Sequence, residues 1–359
     1  AMTRSDILAS SIMAVPGPFM QMCLNIGLTL VVWVGAIRVN EGLVKPGVIL
    51  AFLTYFNMVM QGVMGINRIF MLLSKASASA NRIAQVLDSQ SSQRVLPAAE
   101  ALQPSGEGFI RFEHVDFSYH ADAGQTAAGG QREQCLYDIS FSLNRGESLG
   151  IIGPTGCGKT TIINLLMRFY DATGGGVFVD GRDVRSYQKD QLRRKFGVVF
   201  QNDMVFYNTL RENIRFGRDL DDAALLRAVE DAVAREYIDS LEEGLDYQAD
   251  IKGANLSGGQ KQRLLISRAL AADPEILVLD DSSSALDYKT DAALRRAIFE
   301  HHKNSTTIMI AQRVSSIQNM TRILVMEEGR CIGYGTHQQL LETCPAYLEI
   351  YRAQMGELG

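Results

Sequence analysis

Two long runs without charge open the chain. No Asp, Glu, Lys or Arg falls between Asp6 and Arg38, nor between Lys45 and Arg68. A helix needs about 20 apolar residues to cross about 30 Å of hydrocarbon. Both runs are long enough, and they predict two spans, at about 12–39 and 48–67. Pro16-Gly17-Pro18 lies inside the first. Proline is tolerated in a membrane helix when neighbours satisfy the freed carbonyl. Trp33 sits where an interfacial aromatic would sit. A polar stretch, Val39 to Gly47, turns the chain. The second pattern continues past Arg68 through small and helix-favouring residues to Asp88. About 40 helical residues reach about 60 Å, twice the hydrocarbon thickness, so this helix should project into the cytosol. Lys75, Arg82 and Arg4 agree with cytosolic ends. The competing reading, two core helices of a soluble protein, would call for shorter helices with a polar stripe.

The texture then changes twice. Residues 89–108 are rich in Ser, Gln, Pro and Gly and read as a linker. From Phe109 short β-like runs alternate with helical stretches: Ser148–Ile152, Val177–Val179, Gly197–Phe200, Ile276–Leu279, Thr307–Ile310 and Ile323–Met326. That predicts an α/β domain over 109–359 with a largely parallel sheet. Residues 120–134 look like a surface insertion, to which no function attaches. The predicted architecture is an α-helical transmembrane segment over 1–88, a linker, and an α/β nucleotide-binding domain. Two spans rarely make a transport path by themselves, so the expectation is a piece of a longer protein.

Charge and cysteine content narrow the picture. A net charge of -5 gives no electrostatic reason to expect nucleic acid as a partner. Five cysteines at irregular spacing form neither a disulfide framework nor a zinc pattern, and reduced thiols in a cytosolic setting are expected.

Three motifs carry chemistry. Gly153-Pro154-Thr155-Gly156-Cys157-Gly158-Lys159-Thr160 follows a strand and leads to a helix placed from Thr161. It is a complete phosphate-binding loop. Glycines let backbone N–H groups curl around phosphate, and the helix start adds its positive end. Lys159 should reach the β- and γ-phosphates, and Thr160 should bind Mg²⁺. Ile276-Leu277-Val278-Leu279-Asp280 is an apolar strand ending in a carboxylate, aimed at the same ion. Between them, Leu256-Ser257-Gly258-Gly259-Gln260 leads into a helix placed at Gln260–Ala271. A second anion-binding helix start in one domain is odd unless it serves a nucleotide held elsewhere.

These three motifs, in this order, resemble the ATP-binding cassette (ABC) family over nearly all of 109–359. The preceding helices resemble the last two of six in an exporter half. The resemblance implies an ABC ATPase with a helical subdomain, using ATP and Mg²⁺. It implies that two cassettes clasp each nucleotide between one chain's phosphate loop and the other's LSGGQ. By the same resemblance Tyr119 stacks on adenine, Gln201 contacts Mg²⁺ and the attacking water, and Ser284-Ala285-Leu286-Asp287 joins the two sites.

Three positions depart from the family pattern. Asp281 stands where the family usually has Glu, and its carboxylate is one C–C bond, about 1.5 Å, shorter. A misplacement of about 1 Å can cost a hundredfold in rate. Gln312 stands where the family has a His facing the γ-phosphate, and Gln can hydrogen-bond but cannot take up a proton or carry positive charge. Ile251 occupies the place of a glutamate that exporters often carry before LSGGQ. Asp281, Gln312 and Gln201 are thus the catalytic candidates, with the first two impaired. The expectation is a subunit of an exporter heterodimer. It would bind MgATP at its own slow site and supply Ser257, Gly258, Gly259 and Gln260 to a partner half-transporter's competent site. The other partners expected are the rest of the transmembrane domain, the bilayer and a lipophilic substrate. The expected location is a bacterial inner or plasma membrane with the cassette in the cytosol. A regulatory ATP-gated membrane subunit and a soluble ABC ATPase are the alternatives.

Overall fold

A computed structural model describes residues 16–88, 93–97, 99–119, 134–282 and 285–355. Residues 12–15 of the predicted first span, Arg4, most of the 120–134 insertion and Ser284 lie outside them. The chain divides into two compact units, 1–91 and 92–359.

The first unit holds two helices, α1 (Pro16–Asn40) and α2 (Pro46–Leu87). Both are long and apolar enough to cross a membrane. Their side chains are largely exposed, Leu50, Tyr55, Met58 and Val59 among them. That is the reverse of a soluble core helix, which hides such residues. At 42 residues α2 is about 63 Å long, well beyond the hydrocarbon. The two helices meet through small residues. A Cβ on Gly35 would come within 2.9 Å of Ile49, and one on Gly27 would touch Phe56 at 3.4 Å. Helices in lipid gain from such close backbone approach.

The second unit runs β1 (Ile110–Ser118), β2 (Gln134–Leu143), β3 (Ser148–Ile152), α3 (Lys159–Leu166), β4 (Gly174–Val179) and β5 (Phe196–Val199). Then follow α4 (Asp222–Asp231), α5 (Gly258–Leu270), β6 (Ile276–Asp280), α6 (Tyr288–His301), β7 (Thr306–Ile310), α7 (Val314–Ile317), β8 (Arg322–Glu327), β9 (Arg330–Gly335) and α8 (Pro345–Met355), with shorter pieces between. Six strands form one sheet in the order β9-β8-β3-β7-β6-β5. It is parallel except for the β8–β9 hairpin. β3, β6 and β7 are buried at every residue, as strands covered on both faces must be. Alternate residues feed two cores. Leu277, Leu279 and Met309 enter one; Ile276, Val278 and Ile308 enter the other.

Val177–Val179, read from sequence with the parallel strands, belongs elsewhere. It lies in β4, in a separate antiparallel sheet ordered β2-β1-β4 plus Arg182–Asp183. Its run of Gly174-Gly175-Gly176 allows the close approach. A Cβ on Gly175 would lie 2.1 Å from the His114 carbonyl oxygen. The predicted helix starts also shift by two residues, to Lys159 and Gly258.

Arg168, just beyond α3, is fully buried with a left-handed φ of 52°. Its guanidinium donates to Asp171 Oδ1 at 2.9 Å and to the carbonyls of Arg185 at 3.0 Å and Arg94 at 2.6 Å. The backbone N–H of Leu96 also donates to the Arg185 carbonyl. The part of the predicted linker at Arg94–Leu96 is therefore seated on the domain by a buried arginine.

Candidate nucleotide site

Strand order places the candidate residues together. β3, β7 and β6 are neighbours, and a phosphate loop, Gln312 and Asp280 follow their C-terminal ends in that order. Parallel register sets them at one height. Ile310 is level with Ile151 on one side and Asp280 on the other. Crevices at the carboxyl ends of parallel strands are where open α/β sheets bind ligands.

The loop from Gly153 to Gly158 depends on glycine. Gly153, Gly156 and Gly158 all have positive φ, which side chains with a Cβ rarely adopt. A Cβ on Gly153 would strike the Met326 carbonyl oxygen at 2.1 Å, and one on Gly158 would strike Leu136 at 2.5 Å. At Gly156 there is open space. Lys159 Nζ donates to the carbonyls of Gly153 at 2.8 Å and Pro154 at 2.7 Å, so the ammonium sits inside the curl of the loop. Thr155 is exposed at the rim. Cys157 is buried, with its Sγ 3.8 Å from Lys159 Nζ. Burial pushes its thiol up, against the pull of Lys159, so it packs as a neutral side chain.

Thr160 Oγ1 donates to Asp280 Oδ2 at 3.0 Å. Asp280 is 2% exposed at the end of β6. Burial raises its pKa above the ordinary value, and the Thr160 hydroxyl opposes the shift. The next residue, Asp281, has φ 49°, so the chain turns as it leaves the sheet, and its N–H bonds the Ile310 carbonyl. Its carboxylate accepts from Gln312 Nε2 at 2.9 Å. The Asp281 pKa is raised by burial first, while Gln312, Lys159 and Arg313 lower it. Gln201 lies in the exposed turn after β5, the strand beside β6.

Tyr119 directly follows β1 and is 39% exposed. Its hydroxyl lies 3.1 Å from Thr161 Oγ1 in the first turn of α3. Its ring meets Phe117 edge to face at 4.7 Å and Tyr170 at 5.1 Å. This small aromatic cluster beside the loop was missed from sequence. Phe117 and Tyr170 stand 53 residues apart and share no pattern.

The second helix start is built differently. Ser257 caps α5, accepting from the Gln260 N–H at 3.3 Å, while Gln260 Oε1 accepts from the Ser257 N–H at 2.8 Å. This is a capping box. Gly258 and Gly259 face Ala285, at 3.7 Å and 3.5 Å for a notional Cβ. Among the described residues no hydrogen bond joins this start to the phosphate loop. Asp287 caps α6 through Thr290, whose N–H and hydroxyl hold its carboxylate below the usual range. Ile251 is 71% exposed, next to Lys252 at φ 58°.

Residues 136–284 match the family model described as ABC transporter. The chain is 35% identical over 338 residues to an ATP-dependent lipid A-core flippase of Desulfotalea psychrophila, spanning 94% of this chain and 57% of that protein. It is 34% identical over 338 residues to the uncharacterized ABC transporter ATP-binding protein YknV of Bacillus subtilis, 94% of this chain and 54% of that protein. Among solved structures, a bacterial Atm1-family ABC exporter with ATP bound superposes with a TM-score of 0.71 at 26% identity, over all of this chain and 60% of that one. The chain thus spans little more than half the length of these relatives. With span-length helices ahead of a domain that carries the phosphate loop, the Leu256–Gln260 helix start and the acidic strand in this order, the chain belongs to the ABC transporter family.

Proposed function

We propose that this chain is a subunit of an ATP-driven exporter whose own phosphate loop forms a slow site, while Leu256–Gln260 serves ATP held by a second, non-identical half-transporter. One observation carries the slow-site reading: the Gln312 amide donates to the Asp281 carboxylate at 2.9 Å. The shorter acid is tied to an amide that can donate a hydrogen bond but cannot take up a proton or carry positive charge. A general base must reach the water it activates, and this one is short, with an amide beside it that orients the carboxylate but cannot take up a proton in its turn.

The residues fit MgATP. Positive-φ glycines form a cradle that a Cβ would block, and a hydroxyl and a buried carboxylate pair beside it. Lys159 would bind the phosphates, and Tyr119 would offer a ring face to the base. Thr160, Asp280 and Gln201 would hold Mg²⁺, whose charge would offset that of the phosphates. The backbone of Gly153–Gly158 orients the phosphates, and Thr161 fixes the Tyr119 hydroxyl. Ser257, Gly258, Gly259 and Gln260 present an anion-binding helix start with no nucleotide motif of their own chain bonded to it, which supports a partner across a dimer. An intact LSGGQ would be of little use to a homodimer with two slow sites. Asp287 and the Ala285–Leu286 segment before it would join the two sites. The apolar, exposed surfaces of α1 and α2 support a place in the bilayer with the cassette in the cytosol. The flippase relative supports a lipophilic cargo.

The test is ATP turnover of the full-length complex. Asp281→Glu should raise hydrolysis at this site by about ten- to a hundredfold, and replacing the partner's catalytic acid should abolish most of the wild-type rate. If the full-length chain, purified as a homodimer, turns over ATP and substrate at normal exporter rates, the slow-site reading is wrong.

A further inference from the structure

The loop that carries Gln312 is held by the far end of the chain. α7 starts at Val314, and its N-cap residue Arg313 offers no side-chain cap, because arginine has donors only. The Val314 N–H would be one of the orphan donors at a helix start. Gln354, in the last turn of α8, takes it: the Gln354 Oε1 accepts from the Val314 N–H at 2.7 Å. The same amide group donates through Nε2 to the Gln312 carbonyl at 2.8 Å. One side chain therefore grips the backbone on both sides of Arg313, from 40 residues away.

A primary amide of this length does both with its two ends. A carboxylate accepts but does not donate, and alanine does neither. The grip is also anchored. α8 is seated by Tyr347, which is fully buried and bonded to His337 at 2.8 Å. Two further bonds fix the loop: the Ala311 N–H donates to the Ile151 carbonyl, and Arg295 donates to the Ser315 carbonyl at 2.7 Å. With its backbone held on both flanks, the Gln312 side chain reaches Asp281 at 2.9 Å.

We propose that Gln354 is a positioning residue for the Gln312–Asp281 pair, so that the C-terminal helix sets the geometry of the hydrolytic end of the nucleotide site. The proposal rests on the ATPase reading above. It makes α8 a handle on turnover: whatever shifts the last turn of α8 shifts Gln312 by the same hydrogen bonds. Nucleotide grip, which depends on Gly153–Thr160, has no bond to Gln354 and should be indifferent to it.

Two measurements on the full-length membrane complex test this. The first is turnover in an Asp281→Glu background, where this site should be fast enough to follow. Gln354→Ala should lower kcat about five- to tenfold with KM for ATP within twofold. Gln354→Glu, which keeps the acceptor and loses the donor, should fall between. The second is amide exchange of the 312–317 segment in the otherwise wild-type chain. Gln354→Ala should speed exchange at Val314 about tenfold while Tm moves little. Unchanged exchange at Val314, or a kcat that follows only the folded fraction, overturns the proposal. If fluorescent ATP fails to bind the wild-type complex, the ATPase reading falls, and the exchange result still decides whether Gln354 holds the loop.

Discussion

The two ends of the nucleotide site are built on different principles. The phosphate-loop end is made of backbone. Three positive-φ glycines, a lysine bonded to two loop carbonyls, and the bond from Thr160 to the buried Asp280 fix it. The hydrolytic end is made of side chains. Asp281 and Gln312 are joined by a single hydrogen bond at the tips of two strands. Backbone geometry tolerates drift in sequence as long as glycines stay. A side-chain pair is changed by one methylene or one lost proton. A chain built this way can keep its phosphate loop while the side-chain pair varies, and under the reading proposed above Asp281 and Gln312 are such a case.

The sharpest way to break this contrast is at Lys159. Lys159→Ala removes a charge whose hydrogen-bond partners, among the described residues, are the two carbonyls and Cys157. Truncating one partner of a buried charge contact costs about 2–5 kcal/mol. Affinity for a fluorescent ATP analogue should fall about a hundredfold or more in the full-length complex. Gln312→Ala should leave that affinity within about threefold, since it touches the other end alone. Equal losses from both would show that the ends are not separable.

Acid should separate them too, in a direction the environments dictate. Burial lifts Asp280 above its ordinary pKa, so it takes up a proton at a higher pH than a free aspartate would. A protonated Asp280 no longer offers a charge to Mg²⁺. Mg²⁺-dependent nucleotide binding should therefore weaken as pH falls through this raised pKa, while any Mg²⁺-independent binding through Lys159 persists. Asp280→Asn should remove the acid limb. A limb that survives in Asp280→Asn would place the titration elsewhere.

The contrast also explains what was legible in the sequence. The phosphate loop could be read from one line of residues, because local backbone strain demands glycine wherever it occurs. The strand Ile276–Asp280 was legible because parallel strands buried on both faces are uninterrupted apolar runs. The pairing of Asp281 with Gln312 depends on the parallel register of β6 and β7, 31 residues apart. No local pattern encodes it, and only the family resemblance pointed there. Gln354 and Arg168 escaped for a related reason. Each is a polar residue in an ordinary-looking stretch, and its meaning lies in distant carbonyls. The antiparallel sheet was missed because its strands Ile110–Ser118 and Gly174–Val179 are far apart and interrupted by bulges.

Each end of the site continues into a helix, and the far ends of these helices are pinned differently. Behind the phosphate loop, α3 leads to Arg168, whose buried guanidinium satisfies three carbonyls from two segments. Arg168→Met should leave the Tyr187 and Arg94 carbonyls without this donor and Asp171 without its ion pair, while the Arg185 carbonyl keeps the Leu96 N–H. Removing one member of a buried charged network costs about 3 kcal/mol, or roughly 6–12 °C in the Tm of a domain this size. Thermal unfolding of the full-length protein checks this, and a loss of under about 2 °C would mean that water replaces the guanidinium.

Behind Asp281, α6 runs out to His301, whose Nδ1 lies 2.5 Å from Asp231 Oδ1 at the end of α4, with His302 2.9 Å from the other oxygen. The bond to Asp231 raises the His301 pKa above 6.5. A histidine whose pKa is raised on folding adds stability below its unfolded pKa and loses it as pH rises through the folded one. The Tm gap between wild type and His301→Ala should therefore be widest near pH 6 and narrow toward pH 9. The effect should be small, because the imidazole is solvent-exposed and screened. An arginine guanidinium keeps its charge throughout this range, so the Tm gap of Arg168→Met should stay flat across the same pH series. If the His301 gap is equally flat, the two anchors are alike after all, and the helix behind Asp281 carries no charge-dependent fastening.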